Sequence, residues 1–274
     1  MTQKTLNNYS DIATQLWERR LEFSPTFPKA DTVALFLSTT LATLFPHFEK
    51  HHMKDVTSLE ESLSEISSLI ITMCEAITGC SFAPSALASE FIGDLPLLHD
   101  ALSQDAHAIC NGDPASTGSD EIILTYPGFY AIAIYRIAHW FYLRQAPLLP
   151  RLMTELAHSK TGIDIHPAAK IAFPFVIDHG TGIVIGESTE IQANVKIYQG
   201  VTLGALSVSK NLKDTKRHPT IEENVVVYAN ATILGGKTII GANSVIGGNV
   251  WLTSSVPKNS RVYHDSKQTR SFKD

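Results

Sequence analysis

The sequence predicts an α+β protein. An all-helical N-terminal domain covers residues 1–160, a parallel β-helix of six-residue repeats covers 161–257, and a short tail covers 258–274. Three observations predict this. Apolar residues recur at helical spacing before residue 160. Aliphatic residues recur every six positions after it. Charge and glycine also shift at the junction: residues 1–160 carry 10 Lys+Arg and 18 Asp+Glu, residues 161–274 carry 12 and 9, and the second part holds 11 of the 16 glycines.

The helices follow in order. Asp31 is placed to cap a helix that runs to Phe45, where Pro46 stops it. Leu59, Leu63, Ile66, Ile70, Met73 and Ile77 are spaced 4, 3, 4, 3 and 4, which is one face of an amphipathic helix. Thr57 with Glu60 offers its capping box and Gly79 its end. Leu95, Leu98, Leu102, Ala106 and Ile109 make a second face, entered near Pro96. Two more helices are expected over 128–144 and from 149 to about 159.

The repeat decides the second part. Ile165, Ile171, Ile177, Ile183, Thr189, Val195 and Val201 stand six apart, with a parallel series at Ile185, Ile191, Ile197 and Leu203. After a break, Ile221, Val227, Ile233, Ile239, Val245 and Trp251 are again six apart. Neither helix nor simple strand has that period. A short strand plus a turn does, and three such faces close a triangular coil of about 18 residues. The periodic residue is expected to point inward, stacking into a column that no single coil could bury. Glycines such as Gly186, Gly241 and Gly247 are expected to allow the corners. The bland alternative is a β-sandwich with coincidental spacing. The stretch 204–218, with Lys210, Lys213, Lys216, Arg217 and His218, is expected to leave the coil as a loop. It reads either as a solvated excursion or as a basic arm over an anionic ligand.

Composition excludes several classes. With 44% hydrophobic and 18% charged residues, the chain is not disordered over most of its length. A formal charge of −5 gives no general attraction to nucleic acid or an anionic membrane. The longest apolar run, 126–135, is cut by Arg136 and falls well short of the ~20 residues that span a bilayer. The N-terminus lacks the apolar segment of a signal peptide. Cys74, Cys80 and Cys110 share no CxxC spacing and sit at core-like positions, which points to a reducing, cytoplasmic setting.

Three histidines sit in or beside the repeats with polar company: Asp164-Ile165-His166-Pro167, Asp178-His179-Gly180-Thr181-Gly182 and Arg217-His218-Pro219. Asp164 and His179 are expected on adjacent coils around one corner, within hydrogen-bond reach. A carboxylate on one imidazole nitrogen leaves the other free as a base, and imidazole titrates near neutrality, as deprotonating an alcohol requires. The competing use is zinc on His166, His179 and His218, although no two of them share a short ligand spacing. No GxGxxG or P-loop motif appears.

Together with Gly112-Asp113-Pro114, Tyr135-Arg136-Ile137-Ala138-His139-Trp140, Ala168-Ala169-Lys170-Ile171, Ile183-Val184-Ile185-Gly186-Glu187 and Gly200-Val201-Thr202-Leu203-Gly204, these residues resemble the serine O-acetyltransferases of the hexapeptide-repeat acyltransferase superfamily. The resemblance covers about residues 105–255. It implies a left-handed β-helix and transfer of acetyl from acetyl-CoA to the hydroxyl of L-serine, giving O-acetyl-L-serine and CoA for cysteine biosynthesis. It implies His179 as general base and Asp164 as its orienting partner. Asp113, Pro114 and Asp178 correspond to the ammonium end of serine, Arg217 and His218 to its carboxylate. Acetyl-CoA, the co-substrate, is implied in a groove between subunits of a trimer, with Gly204, Ala205, Gly235, Gly236 and Lys237 as local contacts. The resemblance requires no metal. It admits a homotrimer or a hexamer of two trimers, and L-cysteine as a feedback inhibitor in the serine site.

The sequence departs from that family in three places. The loop between Leu203 and Arg217 is longer and poorer in glycine. Arg261-Val262-Tyr263-His264 replaces a GVPA-like segment. The tail ends in Ser271-Phe272-Lys273-Asp274 rather than isoleucine, so a stable complex with O-acetylserine sulfhydrylase is not expected. The alternatives are an acetyltransferase for another small hydroxyl acceptor, a γ-type carbonic anhydrase, or a non-catalytic trimeric scaffold. The pairing of Asp113 with Arg217 favours an amino-acid acceptor.

Overall fold

The computed structural model describes residues 6–23, 27–77, 83–206 and 215–264. Helices α1 (Leu6–Arg20), α2 (Ala30–Leu44), α3 (Val56–Glu75), α4 (Pro84–Gly112), α5 (Ser119–Thr125), α6 (Pro127–Leu143) and α7 (Leu149–Thr161) precede the strands. No helix among the described residues is long and apolar enough to cross a membrane. Helix α5 is too short to show a period, and α1 lies exposed for most of its length, so neither is legible as an amphipathic pattern.

The helix ends differ from expectation in three ways. Helix α3 starts one residue after Asp55, whose carboxylate accepts 2.9 Å hydrogen bonds from the Ser58 N–H and hydroxyl, so Thr57 falls inside the helix instead of capping it. Asp31 likewise lies in the first turn of α2. Its charge suits the positive end of the helix dipole, but Lys29 occupies the cap position. Helix α4 is entered at Pro84 and continues past Pro96, with Leu87, Phe91, Leu95 and Leu102 buried on both sides of the proline. Helix α3 ends at Glu75; Gly79 and Cys80 lie outside the described residues.

Gly162, in the left-handed conformation, ends α7 and turns the chain into the coil. The fourteen described strands stack as three parallel sheets, one per face of a left-handed β-helix. Face A is β1 (Asp164–Ile165), β4 (Val184–Ile185), β7 (Thr202–Gly204), β10 (Thr232–Leu234) and β13 (Trp251–Leu252). Face B is β2 (Lys170–Ile171), β5 (Glu190–Ile191), β8 (Thr220–Ile221) and β11 (Ile239–Ile240). Face C is β3 (Phe175–Asp178), β6 (Val195–Tyr198), β9 (Val226–Val227), β12 (Val245–Ile246) and β14 (Arg261–Val262). The replacement segment Arg261-Val262 is thus the uppermost strand of face C, paired with β12.

Coil length varies, and the variation decides which side chains face inward. Val184 pairs with Thr202, a standard coil. Asp164 pairs with Val184, two residues longer, and the excess lies in the corner after β3. Two extra residues preserve strand parity, so Ile183, Thr189, Val195 and Val201 still point in. Further on, Ile233 pairs with Leu203 and Ile240 with Ile221, which leaves one extra residue between them. One extra residue flips every following side chain. Hence Ile240 and Ile246 fill the column, while Ile239 is 43% and Trp251 67% exposed, contrary to the six-residue count.

The corner residues also differ from expectation. Positive φ is carried by Gly180, Gly182, Gly200 and Gly235, and more often by Asn194, Asn224, Asn230, Asn243, Asn249 and Asn259, since asparagine also tolerates the left-handed region. Gly186, Gly241 and Gly247 are absent from that set. They lie where a neighbouring coil leaves no room for a Cβ, at Gly241 against the backbone N of Lys258 at 2.4 Å.

Helices and coil share one apolar core. Their junction is polar. Arg136, the residue that interrupts the longest apolar run, is buried and forks onto Asp105 of α4, with Nε–Oδ2 2.5 Å and Nη2–Oδ1 2.8 Å. Asp105 also accepts the Phe175 N–H at 2.9 Å, and Arg136 donates to the carbonyls of Ile171 and Ala172. Beside it, the Tyr135 hydroxyl donates to the Ala169 carbonyl and accepts from the Ile171 N–H.

Candidate active site

Face A is flanked by two polar corners. The first, between faces C and A, is built by the ends of α4 and β3. Asp113 follows α4 directly. Its Oδ2 accepts the Tyr126 hydroxyl at 2.7 Å and its Oδ1 the Ala115 N–H at 2.9 Å. These bonds hold its carboxyl below the usual range, with Lys196 and His179 adding to the effect, and they push the Tyr126 hydroxyl up to about 12. Pro114 lies exposed in the turn beside it. Asp178 ends β3, with Lys196 Nζ 2.8 Å from its Oδ2. His179 follows in the enlarged corner at φ 57°. Its side chain is 73% exposed and its Nε2 lies 3.8 Å from Asp178 Oδ1. The two-residue excess of the first coil therefore lifts an imidazole out of the wall, where it meets solvent beside two carboxylates.

Asp164 lies one layer below, under Val184. Its carboxylate is 3.6 Å from Arg151 Nη1, and no hydrogen bond to His179 is formed, contrary to the sequence expectation. The enlarged corner carries the ring outward, beyond that reach. Asp164 also lies close to Glu155 and His158, a constellation with metal-ligand character. Arg151 already supplies its positive charge, at 2.5 Å from Glu155.

The second corner, between faces A and B, holds Arg217 and His218 against Glu187 and Ser188. Arg217 Nη2 pairs with Glu187 Oε2. The Ser188 hydroxyl accepts the N–H groups of Arg217 (2.9 Å) and His218 (3.1 Å). His218 Nδ1 accepts the Ser188 N–H at 3.1 Å and lies 2.9 Å from its hydroxyl. That assigns the ring proton to Nε2. Burial, then the charge of Arg217, pushes His218 down to about 4, so the ring is a neutral N–H donor at working pH. Ser188 and Tyr126 were missed by the sequence reading. Each acts only by holding a predicted residue, and no local pattern marks that role.

The predicted coenzyme residues also gather at this second corner. Gly204 ends β7, next to Ala205, and its carbonyl accepts the Gly235 N–H at 3.0 Å. A Cβ on Gly236 would meet the Lys216 carbonyl oxygen at 2.0 Å. Lys237 is exposed beside them. The loop residues 207–214, Lys210 and Lys213 among them, and the tail 265–274 lie outside the described residues.

No family model matches the chain. Among curated proteins, a plasmid-encoded serine acetyltransferase of Synechococcus elongatus is 39% identical over 265 residues, 88% of this chain and 82% of that protein. The chain belongs to the serine acetyltransferase family. Solved structures agree. Serine acetyltransferase 1 of Entamoeba histolytica, crystallised with L-cysteine, superposes with TM-score 0.75 at 34% identity over 93% of this chain and 97% of that one. The Neisseria gonorrhoeae enzyme in complex with serine gives TM-score 0.60 at 26% identity, over 88% and 97%.

The family makes the chain an acyltransferase, and neither the zinc-lyase nor the scaffold reading gains support. His166, His179 and His218 do not converge within one chain: His179 stands at the first corner and His218 at the second. The tight seat of His218 gives a sharp expectation. A Cβ on Gly186 would fall 2.0 Å from His218 Cδ2. Gly186→Ala must therefore expel the ring from its seat on Ser188. It should raise the serine KM about tenfold or more in a thiol-release assay. An unchanged KM would show that His218 does not bind the acceptor.

Proposed function

We propose that the chain acetylates the L-serine hydroxyl with acetyl-CoA as co-substrate, at sites completed between two copies in a homotrimer. The observation that carries this reading is the division of the predicted residues. Two carboxylates and an exposed imidazole stand at one edge of face A, a guanidinium and a neutral imidazole donor at the other. Between them, Gly182 to Gly186 spans four residues of extended chain, roughly 13 Å. One serine zwitterion cannot bridge that span. Juxtaposing the first corner of one copy with the second corner of another brings the two sets together.

In that site Asp113 and Asp178 receive the ammonium, with Pro114 shaping the turn, and Arg217 and His218 Nε2–H receive the carboxylate. A ring nitrogen of His179 takes the hydroxyl proton as the serine oxygen attacks the thioester carbonyl. The C–S bond then breaks, and the proton passes from the imidazolium to the departing CoA thiolate. No covalent acyl-enzyme forms. Gly204, Ala205, Gly235, Gly236 and Lys237 line the coenzyme path beside Arg217. Asp164 stands in the layer below the first corner, paired with Arg151. L-cysteine presents the same zwitterion and is expected to compete with serine, in keeping with its presence in the Entamoeba enzyme. Two trimers paired through the helical layer would make a hexamer, and the setting is cytoplasmic.

The test is thiol release from acetyl-CoA with L-serine and a panel of other hydroxyl acceptors. Preference for L-serine is expected; no turnover with it would sink the reading. Arg217→Ala should raise the serine KM roughly 10- to 100-fold while leaving the acetyl-CoA KM within about twofold. An effect confined to acetyl-CoA would move Arg217 to the coenzyme.

A further inference from the structure

Lys196 is a cation that the reaction does not call for. It is the second residue of β6, where Val195 and Ile197 point into the column and Lys196 and Tyr198 point out. Its Nζ sits 4.7 Å from the Tyr198 ring centre, and that ring stacks on Tyr228 at 5.0 Å and 13°. Only 16% of its side chain is exposed. The ammonium lies 2.8 Å from Asp178 Oδ2 and donates a 2.8 Å hydrogen bond to the carbonyl of Gly112, the residue before Asp113. Burial weighs against its charge, but the bonds to Asp178 and Tyr198 outweigh it and raise its pKa. Lys196 is therefore charged whenever the enzyme works.

The pocket assigned to the acceptor's amino group thus already holds an ammonium. Asp178 offers two oxygens, and one is engaged. An amino group on the other would stand roughly 5 Å from Nζ, by ordinary hydrogen-bond geometry. Like charges at that spacing repel. The resident groups Asp113, Asp178 and Lys196 sum to one negative charge, which one acceptor ammonium neutralises. Without Lys196 the same pocket would carry two.

We infer that Lys196 is a specificity-determining residue, a tethered ammonium that shares Asp178 with the acceptor's amino group and weakens the binding of α-amino ligands. The inference rests on the reading above, in which Asp113 and Asp178 hold that amino group. It differs from a purely structural role, in which Lys196 would clamp α4 to β3 through Gly112. Loss of a clamp loosens the pocket and raises KM. Loss of a competitor lowers it.

Lys196→Met removes the charge and keeps most of the length; Lys196→Gln is a second neutral variant, and Lys196→Arg retains the charge. In both neutral variants the serine KM should fall roughly three- to tenfold, and inhibition by L-cysteine should tighten by a similar factor. The acetyl-CoA KM should stay within about twofold, and Lys196→Arg should resemble the unaltered enzyme. A serine KM equal to or above the unaltered value in both neutral variants overturns the inference. So does an arginine variant that behaves like them. If the unaltered enzyme fails to turn over L-serine, the functional reading falls instead, so the two failures are distinguishable.

Discussion

Replacing His179 with alanine should lower kcat for acetyl transfer by ~10²–10⁴, with a much smaller change in the serine KM. The geometry sets this expectation. His179 is the exposed imidazole of the first corner, 3.8 Å from Asp178. Removing the ring leaves both carboxylates to bind the ammonium but leaves no group of suitable basicity to take the hydroxyl proton. The remaining rate comes from positioning alone. His179→Gln tests the same point at nearly constant shape and should lose as much, since an amide is no base. Steady-state thiol release over a range of serine concentrations separates kcat from KM. A loss below about tenfold in both variants would remove His179 from the chemistry.

Arg136→Met should cost about 3–5 kcal/mol of stability. Asp105 is fully buried, and its two oxygens accept from Arg136 and from the Phe175 N–H. Removing the guanidinium leaves a carboxylate in the core without its counter-charge and frees the carbonyls of Ile171 and Ala172. The double change Asp105→Asn with Arg136→Met removes both charges and should be less destabilising than the sum of the two single changes. Urea unfolding of the four proteins provides the comparison. A cost below about 1 kcal/mol for Arg136→Met would mean that water reaches Asp105. The pair also bears on the geometry of the candidate site. Asp105 lies on the helix that ends at Asp113 and bonds the first residue of the strand that ends at Asp178, so it ties together the two elements that carry those carboxylates.

Particular residues show how far local patterns reach. The face from Leu59 to Ile77 was legible because a helix must bury every third or fourth residue. Ile185, Ile191, Ile197 and Leu203 were legible because each hexapeptide buries its own aliphatic residue against the coil below. Ile239 and Trp251 misled because the six-residue count continues through a one-residue insertion near Gly235, while strand parity does not. Gly186 was read as a corner glycine, yet its lack of a side chain serves the ring of His218, thirty-two residues away in sequence.

By itself the sequence determined the fold class, the periodic column up to the one-residue insertion and the candidate residue types of the site, because those depend on short-range spacing and on side-chain identity. Only the tertiary structure decided their grouping. It put Asp113, Asp178 and His179 at one corner and Arg217 and His218 at the other, and it set Asp164 on Arg151 rather than on His179. It also set the Lys196 ammonium against Asp178 and the Gly112 carbonyl. The reason is physical: which groups meet in a coil depends on the exact length of every turn below them, and a change of one or two residues in a turn moves a side chain to another face or out of the wall.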